Sequence, residues 1–216
     1  MQYRSGKYNL VMRRRMQIFA NLSSRSDVYS RLLFVDSDAL LHQDPFPHLD
    51  GRTEPLLYAR DKCHSNLLNG GVVAVRPGAE AFRLMQWGIT QLKNGHSYEG
   101  TDQGAMQSVL YRGGNIGLLP CTLFSPGSQL TRLVARDGQI FLAEKPVVTF
   151  HMNWVLTAST KRRCLAASGQ WLVRPPPTLC APIDVRARVQ VKQTRDGHIL
   201  ECSSMVQPNF SQDTKS

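Results

Sequence analysis

The run Leu32-Leu33-Phe34-Val35 ends without transition in Asp36-Ser37-Asp38. Four consecutive apolar residues are too short for a core helix and lack the alternation of a half-exposed strand, so they predict a short strand buried on both faces. Carboxylates immediately past such a strand lie at its carboxyl end. Open α/β sheets bind ligands at that edge. One motif therefore predicts both a layered α/β fold and the location of its site.

The rest of the chain supports that layering. Residues 8–22 carry Met12, Met16 and Phe19 on one helical stripe, with Ile18 and Leu22 beside it. Leu56-Leu57-Tyr58-Ala59 and Val72-Val73-Ala74-Val75 are further short strands, the second entered through Gly70-Gly71. A helix is predicted over 79–93 with Phe82, Met85, Ile89 and Leu92 buried, and another over 102–112, capped by Thr101 and stopped by Gly113-Gly114. Strands follow at 116–119, 140–143 and 147–150, then a helix over 155–168. Strands alternating with helices predict an α/β sheet flanked by helices. Composition changes at Pro175-Pro176-Pro177, and strict alternation beyond it predicts an antiparallel hairpin over 184–202 turning at Asp196-Gly197, with a frayed tail over 203–216. The expected organisation is a core domain over 1–174 and an extension over 175–216.

Several residues are candidates for chemistry. Asp36 and Asp38, two apart past a strand, suit a hard divalent cation that keeps positions open for phosphate oxygens; the pair also suits two loop aspartates, one capping a helix. His151, ending the strand at 147–150, can reach the same cleft, although a histidine there also reads as a satisfied core residue. An oxygen, oxygen, nitrogen donor set moves the preference from Mg²⁺ toward Mn²⁺. Gly70-Gly71 after Asn69 allows close backbone approach to a ligand, or forms a simple turn. Asp102-Gln103 at a helix start suits gripping sugar hydroxyls, or only complements the helix dipole. Arg13 and Lys161 would neutralise a leaving group if diphosphate is the ligand, and each also reads as a surface charge.

Composition limits the remaining options. The 216 residues suffice for one cored domain plus an extension. The formal net charge of +10 favours anionic partners, but Lys and Arg are spread along the chain. The densest runs, Arg13-Arg14-Arg15 and Lys161-Arg162-Arg163, lie in predicted helices, so solvated faces are expected and no nucleic-acid partner is. The five cysteines show no C-x-x-C spacing, which argues against a zinc site and fits either free thiols or one or two disulfides.

In order, these motifs resemble the nucleotide-diphospho-sugar transferase family, which includes plant cell-wall xylosyltransferase-like and arabinosyltransferase-like enzymes. The resemblance rests on Leu32 to Asp38 with Asp44-Pro45-Phe46, on Asn69-Gly70-Gly71-Val72, and on Trp87 in the following helix. It continues through Asp102-Gln103, Leu119-Pro120, Phe124-Ser125-Pro126-Gly127, Phe150-His151-Met152-Asn153-Trp154, Lys161 and Gly169-Gln170-Trp171. It spans roughly 8–173 and implies a GT-A-like fold with a mostly parallel mixed sheet, a nucleotide-diphosphate sugar donor, a glycan acceptor, Mn²⁺ or Mg²⁺, and retention of anomeric configuration. His151 would complete a metal site with Asp36 and Asp38. Asn69, Gly70, Gly71 and the pair Asp102-Gln103 would line the donor-sugar and acceptor side, with Asp102 the carboxylate for any covalent step.

Family members open on a strand–helix–strand unit that this chain is expected to lack, and they place a lysine near where Arg13 or Arg14 stands. The family implies a type II membrane protein of the Golgi, its domain in the lumen and its anchor upstream of these residues. Two alternatives stay open: a non-catalytic transferase remnant, and a phosphohydrolase of the haloacid dehalogenase type. In the latter family Leu40 would stand where Thr or Val is preferred.

Overall fold

The computed structural model describes residues 6–97, 100–136, 139–142, 145–153, 161, 187–194 and 197–204. The chain forms two compact units, Met1–Asn153 and Trp154–Ser216. The predicted helix at 155–168, apart from Lys161, and the Pro175 break lie outside the described residues. Among the described residues no helix is long and apolar enough to cross a membrane.

The first unit opens on helix α1 (Gly6–Ser23), followed by strands β1 (Leu32–Val35), β2 (Ala39–Leu41), β3 (Leu56–Arg60) and β4 (Leu68–Val75). Helices α2 (Ala79–Lys93) and α3 (Asp102–Tyr111) come next. The remaining strands of this unit are β5 (Ile116–Leu118), β6 (Phe124–Pro126), β7 (Leu133–Arg136), β8 (Gln139–Leu142), β9 (Lys145–Pro146) and β10 (Thr149–His151). The main sheet has the order β1-β4-β3-β5. β4 runs antiparallel to both of its neighbours, while β3 and β5 are parallel. β1, β3 and β5 thus share one direction, as a mostly parallel mixed sheet requires, but the reversed β4 makes two of the three ladders antiparallel.

Side-chain alternation divides the core into two layers. Leu56, Tyr58, Val73 and Val75 face the three helices, together with Met16, Leu84, Met85, Ile89, Met106 and Val109. Leu57, Ala59, Val72 and Ala74 face the other way, against Leu49, Leu119, Phe124 and Val148. That opposite layer contains a second sheet, ordered β2-β10-β6, in which β10 is antiparallel to β2 and parallel to β6. β4 is buried along its whole length, its apolar run Val72–Val75 as expected and the polar Asn69 enclosed with it.

Three expectations need correction. β1 is half-buried rather than buried on both faces, because it is the edge of its sheet, and Val35 stays exposed. Phe82 lies outside the buried face of α2, where Ala81, Leu84 and Gly88 join Met85, Ile89 and Leu92. Ile18 likewise points away from the buried side of α1, where Met16 and Ala20 are enclosed.

Local signals set the element ends. Thr101 Oγ1 accepts the Gly104 N–H at 2.9 Å and caps α3, a contact worth about 1 kcal/mol. Gly113, at φ 85°, takes the left-handed conformation that ends the helix. A disulfide joins Cys63 and Cys121 across a separation of 58 residues, and closing a loop that long contributes about 4 kcal/mol through the unfolded chain.

In the second unit, strands β11 (Ala187–Thr194) and β12 (Gly197–Ser204) pair antiparallel, with Thr194 opposite Gly197. The predicted hairpin is present, and its second strand extends through Ser203 and Ser204 into the expected tail.

Helix packing depends on Gly88 of α2. A Cβ there would collide with the Met106 sulfur and lie 2.6 Å from Met16 Cε, so α1, α2 and α3 converge where α2 has no side chain. Overpacking of this kind costs about 1–3 kcal/mol. Gly88→Val is expected to lower the unfolding free energy by about that amount, measured by urea denaturation.

Candidate metal and donor site

Asp36, Ser37 and Asp38 form the crossing between the two sheets. The Asp36 N–H donates to Gly71 O at 2.8 Å, extending the β1–β4 ladder by one residue. The Ala39 N–H then returns to Asp36 O at 2.9 Å, closing a tight turn. β2 starts at that residue, with Ala39 opposite His151 of β10. The Met152 N–H donates to Asp38 O at 3.1 Å and ties the strand end to the turn. Leaving one sheet and entering the other within three residues therefore brings both carboxylates to the end of β10.

A carboxylate oxygen from each of Asp36 and Asp38 and a ring nitrogen of His151 lie within 4.8 Å of one another. His151 Nε2 is 3.3 Å from Asp38 Oδ1 and 3.7 Å from Asp36 Oδ2. His151 is buried while the two aspartates are partly open, so the cluster has a protein side and an accessible side.

Asn69 determines which imidazole nitrogen is available. The Gly71 N–H donates to Asn69 Oδ1 at 2.9 Å, which identifies that atom as the amide oxygen. The same oxygen is 2.7 Å from His151 Nδ1, so Nδ1 must be the donor. In the neutral ring the lone pair is then on Nε2, facing the carboxylates. A ligand histidine held through its other ring nitrogen is the usual arrangement at metal centres. Two carboxylates and one neutral imidazole fit a divalent cation of the Mn²⁺ or Mg²⁺ type.

The paired glycines have different jobs. A Cβ on Gly71 would overlap the His151 ring, so the imidazole occupies space that only glycine leaves. Gly70 is fixed through its backbone. Its N–H donates to Gln103 Oε1 at 3.1 Å, and its carbonyl accepts from Arg15 Nη2 at 2.6 Å.

Arg15 was not among the predicted site residues. Its guanidinium reaches Asp36 Oδ1 at 2.8 Å and Asp102 Oδ2 at 3.3 Å. It lies 5.0 Å above the Phe19 ring, which stacks at 3.7 Å on Phe34 of β1. That apolar stack aims the charge at the site. Arg13 pairs with none of these groups, and its Nε is buried without a partner, so Arg15 is the cation α1 brings to the cluster. Lys161 belongs to the second unit, where it is helical and partly buried.

Asp102 is buried at the start of α3, its Oδ1 accepting its neighbour Gln103's N–H at 2.9 Å. Burial pushes its carboxyl up, and the Arg15 charge opposes this. Tyr58, enclosed nearby, has its phenol pushed up by burial and by the Asp102 charge, so it stays protonated. A cavity of about 420 Å³ opens beside the disulfide, between Arg60, His64, Pro120, Thr122, Gln129 and Leu142. The predicted site residues do not line it.

Gly71→Ala is expected to displace His151 and weaken Mn²⁺ binding by about 10–100-fold, the usual loss when a ligand's support is disturbed. The check is a calorimetric Mn²⁺ titration of wild type and variant, with denaturation confirming that both fold.

Comparison with known proteins places the chain in a family. The model of the family described as nucleotide-diphospho-sugar transferase matches residues 2–165. No curated protein matches the chain. Among solved structures, a glycosyltransferase involved in the glycosylation of the major capsid of PBCV-1 aligns at 13% identity and a TM-score of 0.53, covering 75% of this chain and 79% of its own. A galactosyltransferase, LgtC, in complex with donor and acceptor sugar analogs aligns at 16% identity and a TM-score of 0.42, covering 73% and 68%. The family match sets aside the phosphohydrolase alternative, and the chain belongs to the nucleotide-diphospho-sugar transferase family of glycosyltransferases.

Proposed function

We propose that the chain moves a sugar, with retention of anomeric configuration, from a nucleoside-diphosphate donor to a hydroxyl of a glycan or glycoprotein, using Mn²⁺ or Mg²⁺. The observation that carries this reading is the Asp36, Asp38 and His151 cluster, its imidazole Nε2 turned toward the carboxylates by Asn69. Asp36, Asp38 and His151 would hold the cation, which supplies Lewis-acid stabilisation of a diphosphate leaving group.

The chain's own residues supply the rest. Arg15 brings a fixed positive charge beside Asp36 and Asp102, where negative charge develops on the leaving diphosphate. Gln103 fixes the Gly70 peptide through its side-chain oxygen, setting the backbone that borders the donor sugar. Asp102, oriented by Arg15 and the Gln103 N–H, is the carboxylate we assign to the sugar side. Retention then follows either from attack on the face the leaving group departs, or from a covalent step at Asp102. Spread of the basic residues along the chain supports a sugar-nucleotide partner over nucleic acid.

The Golgi lumen is the compartment we propose. The Cys63–Cys121 disulfide supports it, because such bonds persist in oxidising compartments.

The test is a donor screen. Purified protein with Mn²⁺ or EDTA is mixed with a panel of nucleotide sugars, and nucleotide release is measured. Release is expected with Mn²⁺ for at least one donor, falling to background with EDTA and in Asp38→Asn. Turnover that survives both would contradict the metal assignment.

A further inference from the structure

The loop after β3 holds a carboxylate to which none of the roles above has been assigned. Asp61 closes that loop through its own N–H, which donates to Leu67 O at 2.9 Å. Two side-chain amides from different elements converge on it. Asn69 Nδ2 donates to Asp61 Oδ1 at 3.3 Å, and Asn153 Nδ2 donates to the same oxygen at 3.2 Å. Asn153 Nδ2 also lies 3.4 Å from the Asp61 carbonyl.

The far ends of the two amides are equally engaged. Asn69 Oδ1 receives His151 Nδ1 and the Gly71 N–H. Asn153 Oδ1 receives the Gly127 N–H at 2.5 Å, and a Cβ on Gly127 would collide with the Asn153 carbonyl. Asp61 thus joins β4, through Asn69, to the residues just past β10, through Asn153. Two residues on, the Cys63–Cys121 disulfide pins the same loop.

Amide chemistry gives this hub a consequence. An asparagine side chain presents oxygen on one edge and NH₂ on the other, and rotation by half a turn exchanges them. If Asn69 turned over, its NH₂ would face the Gly71 N–H, and His151 Nδ1 would meet a donor. Nδ1 would then have to accept, the proton would move to Nε2, and the ring would present N–H to Asp36 and Asp38 instead of a lone pair. An acceptor at Asp61 holds the NH₂ edge away from the histidine.

We propose that Asp61 is a positioning residue that acts through Asn69 to hold His151 in the Nδ1–H tautomer, with Nε2 free to ligate. The proposal rests on the metal-site reading, but its structural part can be measured without metal. Ionised carboxylates are the strongest amide acceptors among side chains. One carboxylate serving two amides orders both the Asn69 side of the site and the segment after His151. Asp61 is not one of the expected metal ligands, and through Asn69 it sets the state of one of them.

The experiment uses ¹⁵N-histidine-labelled protein without metal at pH 8, with His151 assigned by the signal lost in His151→Gln. Long-range ¹H–¹⁵N spectra report which ring nitrogen carries the proton. Wild type is expected to show protonated Nδ1 and bare Nε2. Asp61→Leu, which removes the acceptor, is expected to give substantial Nε2–H and to weaken Mn²⁺ binding, measured by calorimetry, by about 10–100-fold. Asp61→Asn keeps an oxygen for the two amides and is expected to stay close to wild type in both readouts.

A folded Asp61→Leu protein with the wild-type tautomer would overturn the proposal. So would equal losses in Asp61→Leu and Asp61→Asn, which would point to the charge itself rather than to amide orientation. Should Asp61→Leu fail to fold, Asp61→Ala, which also removes the acceptor, is measured against the same outcomes. Should wild type bind no Mn²⁺, the metal reading fails, and the tautomer comparison still decides the role of Asp61.

Discussion

The hydrogen bond between His151 Nδ1 and Asn69 Oδ1 joins the two sheets at the site itself. Asn69 belongs to β4 in the four-stranded sheet, and His151 ends β10 in the three-stranded sheet. The bond is possible because Gly71 leaves room for the imidazole, and because the Gly71 N–H and the Asp61 carboxylate each engage one edge of the amide. The turn at Asp36 follows the same path between the layers, leaving the ladder at Gly71 O and entering β2 opposite His151. Both halves of the cluster are thus held to the Gly71 segment.

The electrostatics of the site follow from burial. Three acidic side chains, Asp36, Asp38 and Asp102, share one region, and Arg15 answers two of them from α1. The guanidinium lies on Phe19 and contacts Asp36, Asp102 and the Gly70 carbonyl, which hold it beside the cluster. A fixed cation beside an open carboxylate cluster suits a ligand that brings both a metal and negative phosphate oxygens.

Much of this was legible in the sequence, and the gaps have physical reasons. The apolar runs at 32–35, 56–59 and 72–75, the Thr101 cap and the Gly113 stop carry strong local signals, and each element formed. Asp36, Asp38 and His151 were legible as a set because each ends or follows a strand, and the structure brings their side chains together. β2 and β6 are three residues long, too short for any period to register, yet β2 is what brings Ala39 and Asp38 against β10. The direction of β4 depends on its partners, so an apolar run could not disclose it. Among three consecutive arginines, composition cannot choose. Helix phase favours Arg15, which stands four residues before Phe19 and three after Met12 on the inward side. Asp61 carried no signal, since its role depends on two amides 8 and 92 residues away in sequence.

The most direct measurement of the central claim is pulsed EPR of Mn²⁺ bound to the chain, with and without UDP or GDP. The account predicts modulation from a single directly bound imidazole nitrogen that disappears in His151→Gln, with ³¹P coupling when a nucleoside diphosphate is added. A spectrum of fully hydrated Mn²⁺, with neither nitrogen nor phosphorus coupling, would contradict it.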